Sequence, residues 1–316
     1  MGIVQNMGNP SISIVVPVYN EAACIPELIR RLTALRQNNV GKYEIFAVLV
    51  DDGSDDDSKE LLISYSLEHR WITTRLLTRN FGHQIAITAG MDVALSDYVA
   101  VIDGDLQDPP ELIPEMVEQL INNGDQIVYG QRSTRQGESA VKLWTARQFY
   151  KLIRTISGLD IPLDTGDFRV MTRRARNILS ELREQNRFLR GLAPWSGLKS
   201  SSFTYKRDIR YSGHTKFTLR KMFDLAANAI ISFSAAPLRA LQSLGLIISA
   251  AGFVSMAVYV FLAVFSTNSS VIGILFSINV LSTGIVVTAV GVVGGYVHRI
   301  QEEVRNRPLY IVNEEE

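Results

Sequence analysis

The stretch of sequence that decides the fold is residues 98–110, which read YVAVIDGDLQDPP. Its first five residues form an apolar run typical of a buried strand, and Asp103-Gly104-Asp105 follows directly. These two carboxylates, with Gln107 two residues further on, can offer three oxygen ligands to one hard cation. The motif therefore predicts a Mg²⁺ or Mn²⁺ site at a strand end, completed by substrate phosphates. A solvated acidic loop is the alternative for these residues taken alone.

Two other apolar runs also end in polar or acidic residues. Residues 11–19 (SISIVVPVY) lead into Asn20-Glu21, and residues 44–50 lead into Asp51-Asp52. Ligands of open parallel sheets bind at the carboxyl ends of the strands. We therefore expect the three strand ends to converge on one rim.

Strands and helices alternate along the first half of the chain, which predicts an α/β fold with a doubly wound, mostly parallel sheet. Neither a Walker A loop nor a GxGxxG motif follows any strand, so the usual signatures of an NTPase or a dinucleotide-binding protein are missing. The predicted strands are residues 11–19, 44–50, 72–77, 98–102 and 126–129, and the predicted helices are 21–37, 58–68, 82–95 and 109–122.

Residues 240–298 contain no Asp, Glu, Lys or Arg. Two apolar runs within them, residues 241–265 and 271–297, are each long enough to cross a bilayer, and the polar residues 266–270 separate them. This pattern predicts a C-terminal two-helix transmembrane hairpin. A hairpin buried in a soluble core is the alternative.

The charges that flank the hairpin predict its orientation. Basic residues precede the first span and follow the second, whereas the loop between the spans has none, so the positive-inside rule places both termini in the cytoplasm. We expect a catalytic domain over residues 1–216, an interfacial linker over 217–239 and a cytoplasmic tail over 299–316. A basic amphipathic helix at 141–157 is expected to dock on the membrane, with a core helix as the alternative.

Composition excludes several classes of function. The chain has 32 Lys and Arg against 32 Asp and Glu, a balance that argues against bulk nucleic-acid binding. Its single cysteine, Cys24, excludes an intramolecular disulfide and a cysteine-clustered zinc site.

Six segments in this order resemble the polyprenyl-phosphate glycosyltransferases of glycosyltransferase family 2, which have the GT-A fold and include dolichol-phosphate mannose synthases and bactoprenol glucosyltransferases. The bactoprenol glucosyltransferases are the closest likeness. The segments are PVYNE (17–21), VDDGSD (50–55), NFG (80–82), DGDLQ (103–107), PLDTGDFR (162–169) and RYSGHTKF (210–217).

The resemblance implies a role for each matching residue. The nucleotide pocket would contain Pro17, Tyr19, Glu21, Asp51, Asp52 and Asp103. The metal ligands would be Asp103, Asp105 and Gln107, with Asp105 in the catalytic set. Arg210 and Lys216 would contact the diphosphate, and Arg132, helped by Arg135 or Lys142, would meet the acceptor phosphate. Asp164 and Asp167 compete for one further catalytic position, where the residue would orient sugar or acceptor.

The implied activity is inverting transfer of a hexose, with UDP-glucose as the expected donor, to polyprenyl (undecaprenyl) phosphate at the cytoplasmic membrane face. Transfer of mannose or aminoarabinose, a processive polysaccharide synthase and a non-catalytic membrane-anchored protein are the alternatives. The Gln-x-x-Arg-Trp motif of processive synthases is not matched by residues 185–188 (QNRF). Gly291 and Gly295 have GxxxG spacing, which predicts a homo-oligomer or, alternatively, packing between the two spans of one chain.

Overall fold

The computed structural model describes residues 9–133, 165–185, 187–207 and 271–313, together with isolated residues between 243 and 258. The chain divides into two compact units. The first contains Met1–Lys221 and Pro308–Glu316, and the second contains Met222–Arg307.

The first unit is built on a seven-stranded sheet with the strand order β3-β2-β1-β4-β6-β5-β7. Four of its six pairings are parallel, and β6 is antiparallel to both of its neighbours, β4 and β5. The strands are β1 (Ser11–Val18), β2 (Glu44–Asp51), β3 (Ile72–Leu76), β4 (Tyr98–Val101), β5 (Ile127–Arg132), β6 (Thr165–Thr172) and β7 (Ser200–Tyr205). The predicted α/β fold with a mostly parallel sheet is confirmed.

Helices connect the parallel strands, and the four predicted before β5 are present; the second has the predicted ends, and the ends of the other three are shifted. The helices of the first unit are α1 (Ile25–Asn38), α2 (Ser58–Glu68), α3 (His83–Val93), a 3₁₀ turn (Pro110–Leu112), α4 (Ile113–Asn123), α5 (Arg173–Glu181) and α6 (Leu189–Trp195). Helix α4 shows how the sequence sets these ends: it begins with a proline in its first turn and stops at Gly124, which has the left-handed conformation at φ 62°.

The central strands are buried on both faces, which explains their nearly continuous apolar sequences. Strand β1 is buried from its second residue to its last. Helix α1 covers one face of the sheet with apolar residues spaced three and four apart: Ile25, Leu28, Ile29, Leu32 and Leu35. Each such fully buried side chain stabilises the fold by about 1.5–3 kcal/mol. This rigid core positions the loops at the strand ends.

The C-terminal segment belongs to the first unit, where it lies along the edge strand β3. An isolated antiparallel bridge joins Leu77 to Val312, and the backbone N–H of Asn313 donates to the carbonyl oxygen of Leu76 at 2.7 Å. This segment therefore covers part of a sheet edge whose hydrogen-bonding groups would otherwise be available to other chains.

In the second unit, helix α7 (Val271–Val304) begins at the first residue of the second predicted span. Within the residues that the structure describes fully, no helix is both long and apolar enough to cross a membrane. The segments 141–157 and 217–239 lie outside the described residues, and the first predicted span is described only at isolated positions. The transmembrane hairpin and the interfacial helices therefore stay predictions.

Candidate active site

The three acidic or polar strand ends meet, as the sequence predicts. Strand β1 lies between β2 and β4 and is parallel to both, with Val18 opposite Asp51 and Val15 opposite Val101. The loops that follow these strands therefore emerge side by side. We call residues 19–22, 51–56 and 103–108 the rim.

Hydrogen bonds between the first two rim loops fix their relative positions. The Asn20 N–H donates to Ser54 Oγ at 3.0 Å, and the Asp55 N–H donates to Asn20 Oδ1 at 2.8 Å. Asn20 has a positive φ of 52°, and Leu106 in the third loop has one of 61°. Left-handed residues other than glycine are uncommon and concentrate at functional sites. The rim is therefore a pre-organised structure.

Two glycines allow the rim loops to approach neighbouring backbone. A Cβ added to Gly104 would lie 3.0 Å from the carbonyl oxygen of Pro17, so the metal motif packs closely on the PVYNE loop. At Gly53, φ is 68° and an added Cβ would lie 2.4 Å from the backbone carbon of Arg79. A side chain at Gly53 would force these loops apart.

Asp51 and Asp52, predicted to bind the nucleotide, are both buried and hydrogen-bonded to the backbone. Asp52 accepts from the N–H groups of Phe81 and Gly82 at 2.8 and 3.0 Å, and Asp51 accepts from the Ser54 N–H at 3.2 Å. Burial raises the pKa of Asp52 despite these hydrogen bonds. Both carboxylates therefore organise the rim, and their contact with a nucleotide stays a prediction.

The predicted metal ligands lie together on the third rim loop. Asp103 Oδ1 is buried and accepts no hydrogen bond from the described residues, although His83 Nε2 lies 3.4 Å away. The buried Asp105 uses Oδ1 to accept the backbone N–H of Gln107 at 3.2 Å. A buried carboxylate oxygen with no hydrogen bond fits a site for a hard cation such as Mg²⁺ or Mn²⁺.

Asp167 is surrounded by donors. It lies on β6 and is 1% exposed. Its carboxylate accepts from Arg190 Nε and Nη2 at 3.1 and 2.8 Å and from Arg169 Nη2 at 3.0 Å, and Gln84 Nε2 and His83 Nε2 each lie at 3.2 Å. Burial alone would raise the pKa of Asp167, but Arg190 and then His83 hold it well below its usual range. Asp167 is therefore a fixed carboxylate that positions basic side chains.

His83 lies between Asp103 and Asp167, and one ligand atom from each of the three residues lies within 4.8 Å of the others. Such a cluster could hold a metal ion. Asp167, however, is already bound by two guanidinium groups. Burial lowers the pKa of His83, but the carboxylates of Asp103 and Asp167 raise it to about 10, so the imidazole is cationic at neutral pH as long as no metal ion is bound. Asp103 therefore belongs to two candidate metal sites, this cluster and the predicted Asp103–Asp105–Gln107 set.

Arg132, predicted to meet the acceptor phosphate, lies at the end of β5 directly opposite Tyr205 on β7. Pro17, Tyr19 and Glu21 lie at the end of β1 and on the loop after it. The other predicted residues lie outside the described part of the chain: Arg135, Lys142, Asp164, Arg210 and Lys216.

Sequence reasoning missed three side chains around Asp167: His83, Gln84 and Arg190. A sequence signal existed for His83 and Gln84, because they directly follow the NFG motif and start helix α3. Arg190 had no such signal, because its pairing with Asp167 depends on the position of the short helix α6.

Residues 13–179, which include the rim and Asp167, match the family model described as "Glycosyl transferase family 2". The chain belongs to glycosyltransferase family 2. This assignment agrees with the observed GT-A-like sheet and confirms the resemblance noted in the sequence.

Relatives match the family 2 chain over almost its whole length. The uncharacterized glycosyltransferase YkcC of Bacillus subtilis (strain 168) is 44% identical, covering 95% of this chain and 92% of its own. The prophage bactoprenol glucosyl transferase homolog of Escherichia coli (strain K12) is 35% identical, covering 95% and 98%. The SfII prophage-derived bactoprenol glucosyl transferase of Shigella flexneri is 36% identical, covering 95% and 97%.

Among solved structures, mannosyl-3-phosphoglycerate synthase from Rubrobacter xylanophilus is similar, with a TM-score of 0.47 and 18% identity over 75% of each chain. Glucosyl-3-phosphoglycerate synthase from Mycobacterium tuberculosis, in complex with Mn²⁺, UDP and phosphoglyceric acid, has a TM-score of 0.46 and 16% identity over 70% of this chain and 76% of its own. Both scores are below 0.5, so these likenesses add nothing to the family assignment.

Proposed function

We propose that this family 2 enzyme transfers glucose from UDP-glucose to polyprenyl (undecaprenyl) phosphate at the cytoplasmic face of the membrane. The observation that carries the proposal is the similarity, over about 95% of both chains, to proteins named bactoprenol glucosyl transferase. The acidic rim supports it, because Asp103, Asp105 and Gln107 offer the ligands that a metal–diphosphate complex requires.

The reaction needs no strong base. A polyprenyl phosphate is already an anion at neutral pH, so its oxygen can attack the anomeric carbon directly. This agrees with Asp167, whose carboxylate is held by Arg190 and Arg169 and is not available to take a proton. A divalent cation bound at Asp103 and Asp105 would stabilise the negative charge on the leaving diphosphate.

Direct attack at the anomeric carbon inverts its configuration, so an α-linked nucleotide sugar gives a β-linked lipid product. The basic side chains next to Asp103 favour the approach of anionic substrates. His83 lies 3.4 Å from that carboxylate, and Arg190 acts on it electrostatically. The positive charges of His83 and Arg190 would reduce the repulsion among the acceptor phosphate, the donor diphosphate and the carboxylates of the rim.

The position of the C-terminal segment supports the proposed membrane topology. Val312 and Asn313 pair with the edge of the sheet, so the end of the chain is in the same compartment as the catalytic unit. Any membrane crossing between residues 222 and 307 must then occur an even number of times. Two spans, residues 241–265 and 271–297, satisfy this condition and leave both termini in the cytoplasm.

We also propose that the protein is a homo-oligomer through its C-terminal helices. Gly291 and Gly295 lie one helical turn apart on α7, and no described atom lies within 4 Å of a Cβ added to either. Replacing both with Ile should dissociate the assembly in mild detergent. A wild-type protein that is monomeric at all concentrations in detergent and in lipid discs would contradict this.

The test of the proposed function is a panel of UDP- and GDP-sugars, each incubated with purified full-length protein, undecaprenyl phosphate and Mg²⁺ or Mn²⁺. We expect one β-linked glucosyl lipid, formed from UDP-glucose and dependent on the metal. A mannosyl or aminoarabinosyl lipid would correct the sugar, and a polymer would identify a processive synthase. No lipid product from any donor would contradict the proposal and favour a non-catalytic role.

A further inference from the structure

A second cluster of buried polar side chains lies directly beside the metal motif, around Asp108. Asp108 follows Gln107 in the chain, and its side chain is completely buried. Its Oδ1 accepts a hydrogen bond from Tyr205 Oη at 2.5 Å, whereas Oδ2 has no hydrogen-bond partner among the described residues. Because an unpaired buried carboxylate oxygen is costly, neighbouring cations or a ligand must offset it.

Two guanidinium groups face this carboxylate from neighbouring strand ends. Arg207 follows β7, and its Nε lies 3.5 Å from Asp108 Oδ1. Arg132 ends β5, and its positive charge acts on Asp108 by opposing the rise in the pKa of that carboxyl. Strands β5 and β7 are parallel, with Arg132 directly opposite Tyr205. The fold therefore brings both arginines to one place.

The cluster contains buried hydrogen-bond donors without partners among the described residues. A Cβ added to Gly166 would lie 2.7 Å from Arg132 Nη2, so only the absence of a side chain there leaves space for the guanidinium. The Nε atoms of Arg132 and Arg207 are buried and have no hydrogen-bond partner among the described residues. Buried donors of this kind need a partner, which can be water, an ion or a ligand.

The cluster adjoins the metal position. Arg207 Nη2 lies 3.9 Å from Asp103 Oδ2. The three carboxylates of Asp103, Asp105 and Asp108 exceed the two guanidinium groups of Arg132 and Arg207 by one negative charge. Binding of a divalent cation would change this to an excess of one positive charge. A phosphate group would neutralise this excess, and guanidinium groups bind phosphate oxygens in pairs of parallel hydrogen bonds.

We infer that Asp108 is a positioning residue that holds Arg207 beside Arg132, and that Arg207 binds a phosphate group of one of the two substrates. This inference rests on the proposed function. The phosphate belongs either to the donor diphosphate or to the lipid acceptor, and separate binding measurements distinguish the two sources.

The test uses the full-length protein in detergent and two calorimetric titrations, one with UDP in the presence of Mn²⁺ and one with farnesyl phosphate. Arg207→Gln should weaken one of these ligands by about ten- to a hundredfold, the effect of losing a charge-assisted hydrogen bond. Asp108→Asn, which keeps an acceptor for Tyr205, should weaken the same ligand by a smaller factor. Arg207→Lys should restore part of the affinity.

Two matched variants control for general effects. Arg183→Gln removes an arginine paired with Asp92, away from the rim. Asp125→Asn removes the charge of a buried carboxylate that also has one oxygen without a hydrogen-bond partner among the described residues. Asp125 precedes the amino end of β5, whereas Arg132 lies at its carboxyl end. We expect both controls to bind both ligands within about twofold of the wild type, a difference below about 0.5 kcal/mol.

Unchanged affinity of Arg207→Gln for both ligands would overturn the inference. An equal loss of affinity in the control variant Arg183→Gln would also overturn it. If Asp108→Asn does not fold, the comparison of Arg207→Gln with Arg207→Lys decides the question. Failure of the proposed function would be seen in another measurement, because the wild-type protein would then form no glycolipid in the transfer assay. A wild type that forms glycolipid while Arg207→Gln binds normally would refute this inference alone.

Discussion

Two aspartates bracket strand β4, and their surroundings differ. At the amino end, Asp97 accepts hydrogen bonds from Ser11 N and Oγ at 2.9 and 2.8 Å and from Arg173 Nη2 at 3.1 Å. At the carboxyl end, Asp103 Oδ1 accepts no hydrogen bond from the described residues, and the nearest His83 nitrogen is 3.4 Å away. One carboxylate is already satisfied by the fold, and the other is prepared for a ligand.

The pKa values of Asp97 and Asp103 are both lowered, but by different neighbours. The backbone N–H of Ser11 lowers the pKa of Asp97 below its ordinary value, with only a partial opposing effect of burial. Burial would raise the pKa of Asp103, but the neighbouring His83 keeps it below its ordinary value. Both residues are carboxylates at neutral pH. We therefore propose that the charge of Asp97 at the amino end of β4 stabilises the fold, whereas the charge of Asp103 at the carboxyl end binds a ligand.

The largest expected effect is a difference in the rate of sugar transfer between variants of Asp103 and Asp97. Asp103→Asn, and likewise Asp105→Asn, should lower the rate of sugar transfer by about a hundred- to a thousandfold, because each removes a charge that stabilises the leaving diphosphate. Asp97→Asn should leave the rate within about twofold and lower the free energy of unfolding by about 1 kcal/mol. Initial rates and thermal unfolding check both. Near-normal turnover of Asp103→Asn at saturating Mn²⁺ would contradict the metal assignment.

The second prediction concerns Asp167, the saturated carboxylate of the site. Asp167→Asn should lower the free energy of unfolding by about 3 kcal/mol, because it leaves Arg169 and Arg190 without their buried counter-charge. Asp103→Asn should lower the free energy of unfolding by a smaller amount, because the Asp103 side chain is 22% exposed and its ion pairs with His83 and Arg207 are longer, at 3.4 and 3.9 Å. Urea unfolding of both variants gives the comparison. If Asp167→Asn and Asp103→Asn lower the free energy of unfolding equally, the two carboxylates do not differ in how strongly the fold depends on them.

The third prediction compares two glycines with positive φ. Gly53→Ala should cost about 2 kcal/mol or more, because the new Cβ adds a backbone clash to the strain of a left-handed residue. Gly41→Ala should cost only about 1 kcal/mol, since no atom lies within 4 Å of its added Cβ. Gly53→Ala should also weaken binding of UDP. Equal costs in chemical unfolding would mean that the rim loops adjust freely.

The smallest expected effect lies in the C-terminal segment. Tyr310 Oη donates to Asp92 Oδ2 at 2.7 Å, so Tyr310→Phe should cost about 1 kcal/mol. Burial and this hydrogen bond raise the pKa of Tyr310 to about 12. The stability it contributes is therefore complete below its unfolded pKa of about 10 and is lost as the pH rises toward the folded value. Hydrogen exchange of residues 310–313 measures the loss, and an absorbance titration of the tyrosines measures the pKa. A pKa of Tyr310 near 10 would contradict it.

Much of the sheet could be predicted from the sequence because β1, β2 and β4 are apolar runs, and β3 and β5 begin with β-branched residues. Strand β6 escaped prediction because Asp167 and Arg169 interrupt its apolar pattern, although both are buried in the fold. Strand β7 escaped because it is a polar strand, SSSFTY, at the edge of the sheet. The pairing of Val312 with Leu77 escaped because it joins distant parts of the chain.

The residues of the candidate site likewise fall into those that the sequence predicts and those that it does not. Asp103, Asp105 and Gln107 were predictable because ligand spacing along one loop is visible in the sequence. The partners of Asp167 were not, since Arg190 approaches it from a helix 23 residues away. The same is true of Arg207, which reaches Asp103 from the end of another strand. Local motifs can be found in a sequence, whereas contacts between strand ends require the fold.

The central claim is that the carboxyl-end rim binds a nucleotide diphosphate through a divalent cation. Isothermal titration of UDP into the full-length protein, with Mn²⁺ and with the metal removed by a chelator, tests it most directly when wild type, Asp103→Asn and Asp97→Asn are compared. The account predicts metal-dependent binding to wild type and Asp97→Asn and its loss in Asp103→Asn. Equal binding with and without metal, or unchanged binding to Asp103→Asn, would contradict the account.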